Sequence, residues 1–209
     1  MSTSAPGRRD HLTFKGNLKE TRYGWLRLTP AYSVHLVAEW VMGNGEWGMG
    51  DDAPPSPITL DPFCGTGTTA LVCAERGVAC DTTDINPFLI WLTRAKTRFY
   101  SPGEIEAFVQ AAAGVAAAMA GDGERPAWVP PLHRIDKWWD AETLAALGRA
   151  MAAIREAAPS LPDAATDLLK LAFCRVMIEC SRASFGHQSM SFKQYSAGDG
   201  PPSPPTLGG

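Results

Sequence analysis

Between Asp61 and Thr69 the chain reads DPFCGTGTT, two glycines and three threonines in nine residues directly after a short apolar run. Gly65 and Gly67 stand two apart at an expected strand end, where missing side chains let a ligand approach the backbone. Thr68 and Thr69 then open a helix whose first N–H groups are free to face that ligand. Turns need glycine on steric grounds alone, so the glycines by themselves prove little. Asp84 adds to them: it lies seventeen residues beyond Gly67, at the end of the next expected strand. A carboxylate there can accept both hydrogen bonds of a ribose diol, which points to a nucleoside-containing cofactor.

The departures narrow the choice. No Gly-Lys-Ser/Thr follows the turn, so a Walker-type phosphate loop is absent. The third glycine of the dinucleotide fingerprint is replaced by Ala70, an accepted variant, so spacing alone does not exclude NAD. The preceding Asp-Pro-Phe favours S-adenosylmethionine: an acid and an aromatic at the mouth of the turn suit a cationic sulfonium better than a dianionic pyrophosphate.

Elements of an α/β type must hold these residues in place. Ile58 to Asp61 is a short β-rich run, TTALVCAERG has the make-up of a helix closed by Gly77, and VACDTTD returns to a strand. Pro87 then opens a helix with a long apolar face, PFLIWLTRAKTRF. Upstream, apolar residues from Val34 to Val41 fit a helix with Ser33 as its N-cap, followed by a loop rich in glycine and proline. Strand, glycine turn, helix, strand, acid, helix is how a doubly wound domain begins. Beyond residue 100 the chain reads as helices. SPGEIEAFVQAAAGVAAAMAG carries a capping box at Ser101 and Glu104, and DAETLAALGRAMAAIREAAP and PDAATDLLKLAFCRVMIECSRASF follow. Only two strands are convincing where a full doubly wound sheet needs five or more.

Bulk properties set the outer limits. A chain of 209 residues suits one domain with a helical appendage. Its net charge is −3 and its pI about 5.8, unlike a wholly basic nucleic-acid-binding domain. The basic cluster Arg8, Arg9, Lys15, Lys19, Arg22 and Arg27 reads most simply as a solvated segment. Cys64, Cys73, Cys80, Cys174 and Cys180 form no CxxC and no zinc spacing, and read as small core residues of a cytoplasmic protein. The sequence has no basic start followed by an apolar stretch and no uninterrupted apolar run approaching ~20 residues, so neither secretion nor membrane insertion is expected.

DPFCGTGTT closely resembles the cofactor motif of amino-methyltransferases that act on DNA, usually written Asp-Pro-Phe-x-Gly-Ser-Gly-Thr-Thr, with Thr66 at the commoner serine. TTDINP resembles the ribose-binding strand end of that family, and RYGWLRLTPAYSVHLVAEWV the segment that closes over the methionine end of the cofactor. The resemblance covers residues 12 to 100; DKWWD and SRASFGHQSMSF resemble, less specifically, the region before the catalytic motif of cytosine-N4 enzymes. It implies a Rossmann-like class I S-adenosylmethionine-dependent methyltransferase fold, incomplete, with few strands and a helix-rich second half. Residues 1–100 would hold the N-terminal segment and the cofactor-binding βαβ unit. Residues 101–192 would be a helical region of the same domain, and 193–209 a disordered tail. Asp61 and Phe63 would contact the methionine part and the purine surroundings. Gly65, Thr66 and Gly67 would supply the close backbone, with Pro62, Cys64, Thr68 and Thr69 completing the motif. Asp84 would take the ribose hydroxyls, and Ile85 and Asn86 would border the adenine. Thr29, Pro30, Ala31, Tyr32 and Ser33 would lie beside the methionine carboxylate, although a plain helix N-cap explains that stretch equally well.

Such enzymes methylate an exocyclic amine of a flipped-out base, using a Ser/Asp/Asn-Pro-Pro-aromatic loop to bind the amine and stack on the base. APPS at Ala53, VPPL at Val129 and GPPS at Gly200 lack the polar first residue and the aromatic last one. SPPT from Ser203 to Thr206 ends in threonine and follows no strand-like run. His133 and His187 have no identifiable partner for general base work, and no catalytic residue is assigned. Trp138 or Trp139 could stack on a base, and Arg182 and Lys193 could touch phosphate, with core packing and solvated charge as the plainer readings.

The expected function is therefore methyl transfer from S-adenosylmethionine to an exocyclic amine of double-stranded DNA, cytosine N4 favoured over adenine N6, within a restriction-modification system. The chain would be truncated, or split so that a second chain carries the catalytic loop and target-recognition region. The alternatives are a non-catalytic S-adenosylmethionine-binding partner subunit and an RNA guanine-N2 methyltransferase.

Overall fold

A computed structural model describes residues 22–26, 32–43, 58–122, 129–184 and 191–192. The fold mixes a small parallel sheet with a majority of helix and divides into two compact units, Met1–Phe99 and Tyr100–Gly209.

In the first unit, β1 (Thr59–Asp61) and β2 (Cys80–Thr82) pair in parallel, Thr59 opposite Cys80 and Asp61 opposite Thr82. Parallel neighbours need a crossover, and α2 (Thr68–Arg76) supplies it. Gly77 ends that helix in the left-handed region at φ 68°, where the N–H of Val78 reaches back to the carbonyl of Cys73 at 2.9 Å. α1 (Val34–Gly43) begins just after Ser33, whose carbonyl accepts the N–H of Val37. Val34 and Val41 of α1 pack with Val72 and Cys73 of α2, and Cys80 of β2 closes the cluster. α3 (Pro87–Thr97) has proline in its first turn, as the sequence predicts, and its cap is the side chain of Asn86, accepting the N–H of Phe88 at 3.0 Å. Leu92 and Ala95 of α3 are fully buried; burying one leucine-sized side chain contributes about 2 kcal/mol.

A parallel sheet ordinarily has both faces covered. Here Ile58 and Leu60, two apart and therefore on one face, are exposed, Leu60 at 67%. The N–H of Thr59 and the carbonyl of Asp61 are used towards β2. Leu60 therefore turns its N–H and carbonyl to the opposite edge of β1, along which no strand lies among the described residues.

The second unit is built on α4 (Pro102–Ala120), α5 (Ala141–Ala157) and α6 (Asp163–Glu179). The capping box at Ser101 is formed: its hydroxyl accepts the N–H of Glu104, whose carboxylate accepts the N–H of Ser101 at 2.7 Å. Asp140 caps α5 by accepting the N–H of Thr143, which with weaker help from Arg182 holds its carboxyl below the usual range. Arg149 of α5 donates to the carbonyls of Ala118 and Met119, satisfying the last turn of α4. Leu147, Ala150 and Ile154 of α5 and Ala165 and Leu169 of α6 are buried, and the alanines let the helices approach closely.

The final helix is shorter than its periodicity predicts. It stops at Glu179 instead of running on through SRASF, because Ser181 turns back onto the carbonyl of Ile178 and Arg182 donates its N–H to the carbonyl of Trp138. Ala183–Ser184 (β3) then pairs antiparallel with Ser191–Phe192 (β4), a contact the sequence does not announce. The tail from 193 to 209 lies outside the described residues. No helix among the described residues is long and apolar enough to cross a membrane.

Candidate functional site

The site is assembled where the chain leaves β1 and β2, at the carboxyl ends of the two strands. Asp61 closes β1. Its carbonyl accepts the N–H of Thr83 at 3.0 Å, while its side chain accepts the N–H of Phe63 at 3.1 Å and fixes the start of the turn. Thr83 answers through its carbonyl, which takes the N–H of Cys64, and its hydroxyl, which donates to the carbonyl of Pro62 at 2.9 Å. The two loop starts are stitched side by side.

Asp84 completes the stitching. One carboxylate oxygen accepts the N–H of Gly65 at 3.0 Å and the other the N–H of Asn86 at 2.8 Å. A carboxylate offers about four acceptor sites, so roughly two remain for a ligand's hydroxyls.

The two glycines answer different needs. Both have positive φ, 51° at Gly65 and 79° at Gly67. A Cβ on Gly67 would come within 2.7 Å of the Thr93 hydroxyl oxygen, so its absence lets α3 press against the turn. Among the described residues a Cβ on Gly65 would meet nothing nearer than the Phe63 carbonyl at 3.9 Å, an ordinary contact, so there is room beside Gly65 that Gly67 lacks. Phe63 and Ile85 stand exposed beside it, at 74% and 98%, apolar surfaces with no partner in the core.

Under the turn lies Lys96 of α3, 1% exposed. Its ammonium donates to the carbonyl of Thr66 at 3.0 Å and to that of Tyr23 at 3.4 Å. Burial pushes its pKa down from 10.5 to about 8. On β2, burial, the neighbouring Cys73 and the carboxylates of Asp61 and Asp81 raise the Cys80 thiol to about 12, so it stays protonated.

The chain thus brings Asp61, Pro62, Phe63, Cys64, Gly65, Thr66, Gly67, Thr68, Thr69, Asp84, Ile85 and Asn86 to one end of one sheet. Asp84 and Asn86 also bear structural tasks that the sequence reading does not give them. Tyr32 is exposed and Ser33 buried at the start of α1, while Thr29, Pro30 and Ala31 lie outside the described residues. Sequence reasoning misses Thr83, Thr93 and Lys96. A lysine stands out once the helix is drawn, because Leu89, Leu92, Thr93 and Lys96 fall at i, i+3, i+4 and i+7 on its inward face.

The other candidates separate. Trp139 is buried and donates its indole N–H to the carbonyl of Met177, a core role. Trp138 stacks on Trp139 and meets Phe192 edge-on at 5.3 Å. Arg182 pairs with Asp140 at 3.5 Å, His133 is exposed in a turn, and His187 and Lys193 lie outside the described residues. Among the described residues no group of three or more His, Cys, Asp or Glu is placed to hold a metal ion.

Compared with models of known protein families, with curated proteins and with solved structures, the chain matches none.

Proposed function

We propose that this chain is the S-adenosylmethionine-binding part of a Rossmann-like amino-methyltransferase acting on DNA. The observation that carries the proposal is the junction at Gly65, a glycine uncrowded among the described residues and held by Asp84 from just beyond the neighbouring parallel strand. Asp84 keeps acceptor sites for a ribose diol, Phe63 and Ile85 offer apolar surfaces for a purine, and Asp61 places negative charge at the mouth of the turn. When bound, S-adenosylmethionine supplies a methyl group on a sulfonium. The residues of this chain bind and orient it.

The sequence holds no Ser/Asp/Asn-Pro-Pro-aromatic loop, so the groups that receive the target amine come from outside these 209 residues. The exposed Ile58 and Leu60, and the edge of β1 that no strand among the described residues pairs with, support a second chain that extends the sheet and carries that loop. The missing loop also favours a second reading, a non-catalytic S-adenosylmethionine-binding subunit.

Titration calorimetry with S-adenosylmethionine, followed by transfer of a labelled methyl group to double-stranded DNA, tests both readings. Saturable binding with no transfer by the chain alone is expected. Transfer that appears on adding a loop-bearing partner supports the first reading; binding that no partner converts to transfer supports the second.

A further inference from the structure

Lys96 is the most deeply buried charged side chain among the described residues of the first unit, and none of the ion pairs found among those residues gives it an acid partner. Its two carbonyl partners belong to segments far apart in sequence: Thr66 inside the glycine turn and Tyr23 in the short 3-10 turn Arg22–Gly24. That 3-10 turn is itself pinned down. The Arg22 guanidinium donates to the carbonyls of Lys96 and Arg98 at the end of α3, and the Tyr23 hydroxyl donates to Glu75 of α2 at 2.6 Å. Gly67, next to Thr66, is already pressed against Thr93 one turn before Lys96.

We propose that Lys96 is a positioning residue for the cofactor site: its ammonium clamps the Thr66 carbonyl to the Arg22–Gly24 turn and thereby holds the glycine turn open for the ligand. This rests on the S-adenosylmethionine reading for the identity of the ligand, but the clamp itself can be observed without it. A charged donor makes a shorter and stronger bond to a carbonyl than a neutral amine does, so the clamp loosens when the lysine loses its proton. The charged groups on the segments around Lys96 are Arg22 on the 3-10 turn, Arg94 and Arg98 on α3, Glu75 and Arg76 on α2, and Asp61 and Asp84 beside the glycine turn. Burial is the one cause that shifts Lys96, and it places the proton loss near pH 8.

The test uses the wild-type chain and Lys96→Met, carried from pH 6.5 to 9.5. The first readout is the carbonyl carbon-13 shift of Thr66 in the ligand-free protein, which reports its hydrogen bond. It is expected to titrate near pH 8 in the wild type and to stay flat in Lys96→Met. A flat wild-type profile overturns the clamp, and this readout decides the matter even if Lys96→Met does not fold. The second readout is the Kd for S-adenosylmethionine, expected to weaken about tenfold as the wild type passes through pH 8 and to be weaker and less pH-dependent in Lys96→Met, where only the ligand's own amino group still titrates. A pH dependence in Lys96→Met as large as that of the wild type belongs wholly to the ligand and contradicts the proposal. Wild-type protein that binds no S-adenosylmethionine at any pH, while Thr66 still titrates, overturns the ligand assignment and leaves the clamp standing.

Discussion

Asp84, two residues beyond β2, holds the backbone N–H of Gly65 at 3.0 Å, four residues beyond β1. One side chain thereby sets the shape of a turn that belongs to another strand. Removing it with Asp84→Ala leaves the N–H groups of Gly65 and Asn86 without their partner. A loss of roughly 1–2 kcal/mol in urea unfolding is expected, with Asp84→Asn, which keeps one acceptor oxygen, losing less. Equal stability of the three proteins would show that the junction bears no load.

Gly65 and Gly67 are expected to respond differently to alanine. At Gly65 only the positive φ is at stake, a cost of about 1–2 kcal/mol, and the fold should persist with the ligand approach narrowed. At Gly67 the same strain is joined by a Cβ 2.7 Å from Thr93, and overpacking adds about 1–3 kcal/mol. Thr93→Ala should recover part of the loss in Gly67→Ala and none in Gly65→Ala, as measured by thermal unfolding of single and double variants.

The contribution of Lys96 to the stability of the chain should rise on going from about pH 8 to pH 9. Lys96 has a folded pKa of about 8 against 10.5 unfolded, so in that window the unfolded chain binds more protons and alkali favours the fold. The slope is at most about 1.4 kcal/mol per pH unit. The cysteines oppose it from about pH 8 upward: Cys80 is raised from 9.0 to about 12, and burial also raises Cys174 and Cys180, so the folded chain keeps protons that the unfolded chain releases, and the lysine's contribution is read as the difference between the wild type and Lys96→Met. Unfolding free energies at pH 7, 8 and 9 for the wild type and Lys96→Met should differ in slope, the variant lacking the lysine's contribution.

The capping box of α4 offers a control away from the site. Ser101→Ala removes the acceptor of the Glu104 N–H and should cost about 1 kcal/mol, with ligand affinity unchanged. A loss of affinity in that variant would show that the helical unit contributes to binding.

Much of this was legible in the sequence because its signals are local. Gly77 closes α2, Pro87 opens α3, and Ser101 with Glu104 starts α4, each fixed by residues within one turn of the helix end. The glycine turn and Asp84 were legible as a pair through their spacing. Long-range contacts were not. Nothing local tells that Asp84 would be bonded to Gly65, that Thr93 would demand a glycine at 67, or that Lys96 would point inward to Thr66. The end of α6 escaped for the same reason, since Arg182 is drawn to the carbonyl of Trp138, 44 positions earlier in the chain.

Titration of S-adenosylmethionine into the purified chain tests the central claim most directly, with Asp84→Ala and Gly65→Val alongside. Saturable binding by the wild type, lost or weakened at least about tenfold in both variants, is the predicted result. No binding by the folded wild type, or binding that both variants retain undiminished, would contradict the assignment of this junction to the methyl donor.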